Sequence, residues 1–174
     1  MIFNDFNLIM MKKLFVLIAL FMATGLTALH AQSLGQTYKT ALGLKVWGDG
    51  GGISIKSFVG PGHALEGVGY FWERGTRIVG LYEFHGRIEG APGLNWYVGP
   101  GVHLGFYNDR YYDARFHDGD GSGSYIGIDG VLGLDYKFDG VPVNLSIDWQ
   151  PSFEFGSNRG FIGSWGGLGV RYTF

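Results

Sequence analysis

Apolar and polar residues alternate along most of the chain beyond residue 38. The longest run is 143–155, thirteen residues in which Val143, Leu145, Ile147, Trp149, Pro151, Phe153 and Phe155 share one face. Asn144, Ser146, Asp148, Gln150, Ser152 and Glu154 share the other. The segment 94–107 repeats the pattern, with Leu94, Trp96, Val98, Val102, Leu104 and Phe106 against Asn95, Tyr97, His103 and Tyr107. So does 126–138, with Ile126, Ile128, Leu132, Leu134, Tyr136 and Phe138 against Asp129, Asp135 and Lys137. Period two is the signature of a β-strand, and no stretch after residue 38 shows the spacing of an amphipathic helix.

Turn chemistry divides the chain into eight predicted strands: 39–48, 52–59, 64–73, 76–88, 94–107, 125–138, 142–155 and 161–174. The connections are rich in Gly and Pro, among them Asp49-Gly50-Gly51, Gly60-Pro61-Gly62-His63, Arg74-Gly75 and Asp139-Gly140-Val141. Gly supplies positive φ at such corners and Pro presets the first of them. Ordinary strands peak at about five or six residues. Strands of twelve to fourteen with one large-apolar face have the length to cross a bilayer at a tilt. The alternative is a soluble secreted sandwich, whose polar face would be rich in Lys, Thr and Glu. Here that face mixes Gly with isolated acids and bases, as the narrow interior of a small barrel requires. An even strand number puts both termini on the periplasmic side and the long 108–124 connection outside the cell. Pro100 and Pro151 fall mid-strand, where the missing N–H predicts a bulge or a local break in the ladder.

The first residues change the picture of location. From Met11 the chain reads MKKLFVLIALFMATGLTALHAQS: Lys12 and Lys13, an apolar stretch Leu14–Leu29, then the small Ala31. That order predicts a secretory signal peptide over 1–31 with cleavage after Ala31, and an uncleaved helix as the alternative. Residues 1–10 carry an acid and no base, which points to Met11 as the true start. Residues 32–37 form a short lead, and 38–174 the barrel.

Composition then removes several kinds of function. The 174 residues include 32 Gly, 29 aromatics and no Cys. Thiolate metal sites, iron–sulfur clusters and cysteine nucleophiles are excluded. Thirteen basic against fifteen acidic residues leave no footprint for nucleic acid. With 46% hydrophobic residues, intrinsic disorder is excluded too.

The chain ends Gly169-Val170-Arg171-Tyr172-Thr173-Phe174, with Val170, Tyr172 and Phe174 on the outward face. In these features residues 32–174 resemble the small eight-stranded outer-membrane β-barrels of Gram-negative bacteria. The resemblance implies an all-β, up-and-down transmembrane barrel in the outer membrane, in contact with its lipid and lipopolysaccharide. It also implies that the terminal strand ending in Phe174 is the signal read by the barrel-assembly machinery. It leaves activity open, because such barrels include adhesins, immune-evasion proteins, lipid A-modifying enzymes and proteins of no known role. The expectation is a monomeric, cofactor-free barrel with a structural or surface-interaction role and no open channel. The alternatives are a narrow ion or small-solute channel and a lipid A-modifying enzyme.

Assigning faces by parity places Lys45, Lys56, Glu66, Glu83, His85, Arg87, Asn95, His103, Asp129, Asp135, Lys137, Asn144, Asp148, Gln150, Glu154 and Arg171 inside. Near-equal numbers of acids and bases predict a cross-linked polar plug, since unpaired buried charges are costly. Glu83 and Arg87, four apart on one strand, should each find opposite charges on neighbouring strands, with Glu66 the natural partner for a base and Lys56 and Arg171 as others. Aromatic girdles are expected from Trp96, Tyr136, Phe138, Tyr172 and Phe174 at one end and Phe71, Phe106, Phe153 and Phe155 at the other. Catalysis of the serine–histidine type finds little support: His85 and His103 face inward, and the outward Ser57 and Ser164 have no outward His beside them. In the long loop, Tyr111, Tyr112, Arg115 and Phe116 are candidates for surface contact. Asp118, Asp120 and Ser122 spell the opening of a calcium loop, a weak metal candidate whose closing ligand, Asp129, is expected on a strand.

Overall fold

In a computed structural model of the chain, residues 38–48, 50–107, 123–155 and 160–174 are described. The period-two segments form strands: β1 (Thr40–Trp47), β2 (Gly50–Gly60), β3 (His63–Trp72), β4 (Gly75–Arg87), β5 (Leu94–Tyr107), β6 (Ser124–Lys137), β7 (Val143–Trp149), β8 (Ser152–Phe155), β9 (Phe161–Ile162) and β10 (Gly166–Thr173). β1 to β7 pair antiparallel in chain order, β8 pairs with β6 and β9, β10 pairs with β7, and β1 pairs with β10 to close the sheet. β7 with β8, and β9 with β10, are interrupted halves of single staves, so the barrel has eight staves, up and down. No helix occurs among the described residues.

The wall is inverted relative to a water-soluble protein. Outward Leu44 is 63% exposed and Phe161 70%, amid a belt that includes Ile53, Ile78, Val102, Ile128, Ile147 and Val170. Inward Lys45, Lys56, Arg77 and Glu83 have no exposed surface at all. Aromatic pairs stand at both ends of this belt: Tyr136–Phe138 and Tyr172–Phe174 beside the termini, and Phe153–Phe155 at the opposite, loop end. Close fitting inside depends on glycine. A Cβ at Gly167 would collide with the Lys45 side chain, and one at Gly133 with the Tyr97 ring.

Both mid-strand prolines interrupt pairing, in different ways. Pro100 keeps its partner Gly130 on β6. On the β4 side, pairing lapses between Leu81↔Gly101 and Phe84↔Val98 and resumes in the same register. At Pro151, β7 stops and β8 begins, yet β6 continues past both without a shift. There the Gly130 N–H donates to the Pro151 carbonyl at 2.8 Å. The irregularity is transferred to the other neighbour. Trp149 faces Gly166 and Ser152 faces Ile162, so 163–165 holds one residue more than the opposing strand, a bulge.

That bulge frees carbonyls, and each finds a donor. The Trp149 indole donates to Gly163 at 2.7 Å, the Trp47 indole to Ser164, the Gln150 N–H to Trp165 at 2.9 Å and the Tyr70 hydroxyl to Gly166 at 3.2 Å. In hydrocarbon no water would replace such a donor. Trp149→Phe should therefore cost on the order of 1–3 kcal/mol of stability in lipid vesicles, read by urea unfolding, with Trp47→Phe similar. Unchanged midpoints in both would mean that water reaches the seam.

Candidate functional site: the polar lumen

The interior is organised in two ionic networks. The one nearer the termini is centred on Glu66 of β3. Its carboxylate takes the Arg171 guanidinium from β10, lies 3.3 Å from Lys45 Nζ of β1 and 3.6 Å from Lys56 Nζ of β2, and accepts from Ser54 Oγ at 2.7 Å. Arg171 also donates to Ser54 and Ser146, both at 2.7 Å, and to Asn144 at 3.3 Å. Lys45 Nζ stands 2.6 Å from Asp148, which accepts from Tyr97 Oη at 2.6 Å and Gln150 Nε2 at 2.7 Å. Lys56 Nζ is 2.8 Å from Glu83 and 3.7 Å from Asp135, and 4.1 Å from the Tyr97 ring centre. Glu83 in turn lies 2.8 Å from His85 Nε2. His85 stacks on Tyr97 and is met edge-on by Phe58. Tyr38, ahead of β1, packs on Phe58 and donates to Asp135 at 3.4 Å. Burial, with Asp135 beside it, pushes the Tyr38 phenol well above its usual range.

The second network lies toward the loop end. Asp129 of β6 takes the Arg77 guanidinium and sits 2.7 Å from His103 Nδ1. Glu154 lies 3.8 Å from both Arg77 and His103, and the Trp165 ring covers Arg77 at 4.5 Å. Between the two networks, Val68, Tyr70, Val79, Leu81 and Val131 fill the β3–β6 side of the lumen as an apolar cluster with Tyr97.

Parity reasoning places most of these side chains but fails at the rims. Arg87 does not join the lumen. It ends β4 opposite the half-buried Asn95, and the side chain is exposed because a rim position has no opposing wall to cover it. Lys137 does not join either. At the end of β6 its Nζ donates to the Phe138 and Val141 carbonyls, both at 2.6 Å, and so ties down the turn after the strand. Arg77 was the missed member, although it stands six residues before Glu83 on the same inward face of β4. Ser57 Oγ faces Thr40 Oγ1 at 3.2 Å across the β1–β2 ladder. Val170, Tyr172 and Phe174 lie exposed on the outer wall. Residues 1–37, and with them the signal-peptide reading, fall outside the described residues. So do the loop candidates Tyr111, Tyr112, Arg115, Phe116, Asp118, Asp120 and Ser122.

Comparisons with protein-family models, curated proteins and solved structures find no match to this chain. The chain is a small eight-stranded antiparallel β-barrel.

Proposed function

We propose that the protein is an integral barrel of the bacterial outer membrane with a closed lumen and a structural or surface-interaction role. The observation that carries this reading is the inverted wall: a continuous belt of exposed Leu, Ile, Val and Phe around an interior of buried charge. Monomeric soluble proteins rarely expose contiguous apolar patches of more than a few hundred Å². A bilayer removes that belt from contact with water, and the aromatic pairs at its two ends fit the interfacial levels. In this reading the termini and short turns face the periplasm, and the β5–β6 connection faces outward. The terminal Val170, Tyr172 and Phe174 serve the assembly machinery, and the belt contacts lipid and lipopolysaccharide. The cross-linked networks and the apolar cluster between them favour a plug over a pore, with the barrel acting as a platform for its loops.

Two measurements test this. Protein folded in detergent should run at a different gel mobility unboiled than boiled, and in planar bilayers it should give no resolvable single-channel steps. Recovery as a soluble monomer without detergent would sink the membrane reading. Regular conductance steps would sink the plug and favour the narrow channel.

A further inference from the structure

Among the described residues, the network nearer the termini holds three bases, Lys45, Lys56 and Arg171, against four acids, Glu66, Glu83, Asp135 and Asp148, all buried. An uncompensated charge enclosed in this way is strongly unfavourable unless it is neutralised. The shortage is not shared evenly. Glu66 is met by three cations, and Asp148 by Lys45, Tyr97 and Gln150. Glu83 and Asp135 share one cation, Lys56 at 2.8 and 3.7 Å, which also lies 3.6 Å from Glu66, and Asp135 accepts from the Tyr38 hydroxyl at 3.4 Å. The other contacts of Glu83 are the imidazole of His85, with Nε2 at 2.8 Å, and the Glu66 carboxylate.

We propose that Glu83 and His85 together form a proton-binding site, holding in the folded barrel one proton that the unfolded chain gives up near neutral pH. The proton lies between Glu83 Oε2 and His85 Nε2, and with it the layer carries no net charge. The groups facing the pair are Lys56 from β2, Glu66 from β3, Tyr97 from β5, Asp135 from β6, Arg171 from β10 and Tyr38 ahead of β1. Among the described residues these include no base besides Lys45, Lys56 and Arg171. Phe58 and Tyr97 pack on the imidazole and shield it from solvent. The site does not depend on lipid outside the wall, because the barrel's own side chains enclose it.

The linkage has a definite sign. Above pH ~6.5, where a histidine in an unfolded chain is neutral, the folded barrel binds the extra proton and the unfolded chain does not. Stability therefore falls as pH rises, by about tenfold in the folding equilibrium constant per pH unit until the pair itself lets go. The test is urea unfolding of the full chain in micelles of an uncharged detergent, from pH 6.5 to 9. Glu83→Gln leaves three bases against three acids and should lower the slope by one proton's worth. It should also be more stable than the parent at pH 9, although it loses a carboxylate beside Lys56. Asp135→Asn removes a different acid from the same layer and should do likewise. A parent slope retained in both variants would overturn the proposal. So would failure of both to fold at pH 9, since the count makes both layers balanced there.

Discussion

Arg171→Met is expected to be the most destabilising single change in the lumen, by about 3–5 kcal/mol, the range for removing one partner of a buried ion pair. Arg171 spends its guanidinium on Glu66, Ser54, Ser146 and Asn144, and so bridges β10, β2, β3 and β7 across the barrel. Met restores much of the volume but none of the donors. Lys45 and Lys56 would be left alone with the four acids of the layer. The check is the urea midpoint of refolding into vesicles, run beside conductance in planar bilayers. A plug predicts a large fall in midpoint and still no current. A water-filled lumen would screen the loss, so a small change together with measurable current would refute the plug.

The second large effect is expected where a soluble protein would show none. Leu44 sits mid-strand on β1, 63% exposed, between outward Val170 on β10 and Ile53 on β2. At a water-exposed site, Leu44→Arg would change stability by no more than ~0.5 kcal/mol. On a lipid-facing site near the bilayer midplane the same change costs about 2–4 kcal/mol. Refolding into vesicles should therefore show a clear drop for Leu44→Arg. At the rim, Arg87→Leu removes a charge already outside the lumen and should be near neutral. Equal midpoints for parent and Leu44→Arg would argue that the belt does not face hydrocarbon.

Much of this architecture follows from local pattern. Side chains on a strand alternate strictly, so the faces of 94–107, 125–138 and 143–155 could be assigned without knowing any partner. Turns depend on a few residues each: Gly62, Gly90, Gly93 and Gly140 take positive φ at the corners. Strand number, order and the inward placement of Lys45, Glu66, Glu83 and Asp148 were accordingly readable from the chain alone. Parity places Arg77 on the same inward face of β4 as Glu83.

Other features needed the closed barrel. Parity says which way a side chain leaves the strand but not what lies opposite. It treated Arg87 and Lys137 as lumen residues when the wall ends beside them. The meeting of Arg171 with Glu66, 105 positions apart, depends on the stagger of β10, β1, β2 and β3 around the closure. Pro151 announced an irregularity, yet the extra residue falls on the opposing strand at 163–165, where Trp47 and Trp149 can reach the freed carbonyls. Period and turn chemistry are properties of neighbours along the chain, and the sequence determines them unaided. Ion pairing and the location of the bulge depend on distances across the lumen and between staves, which exist only once the sheet has closed.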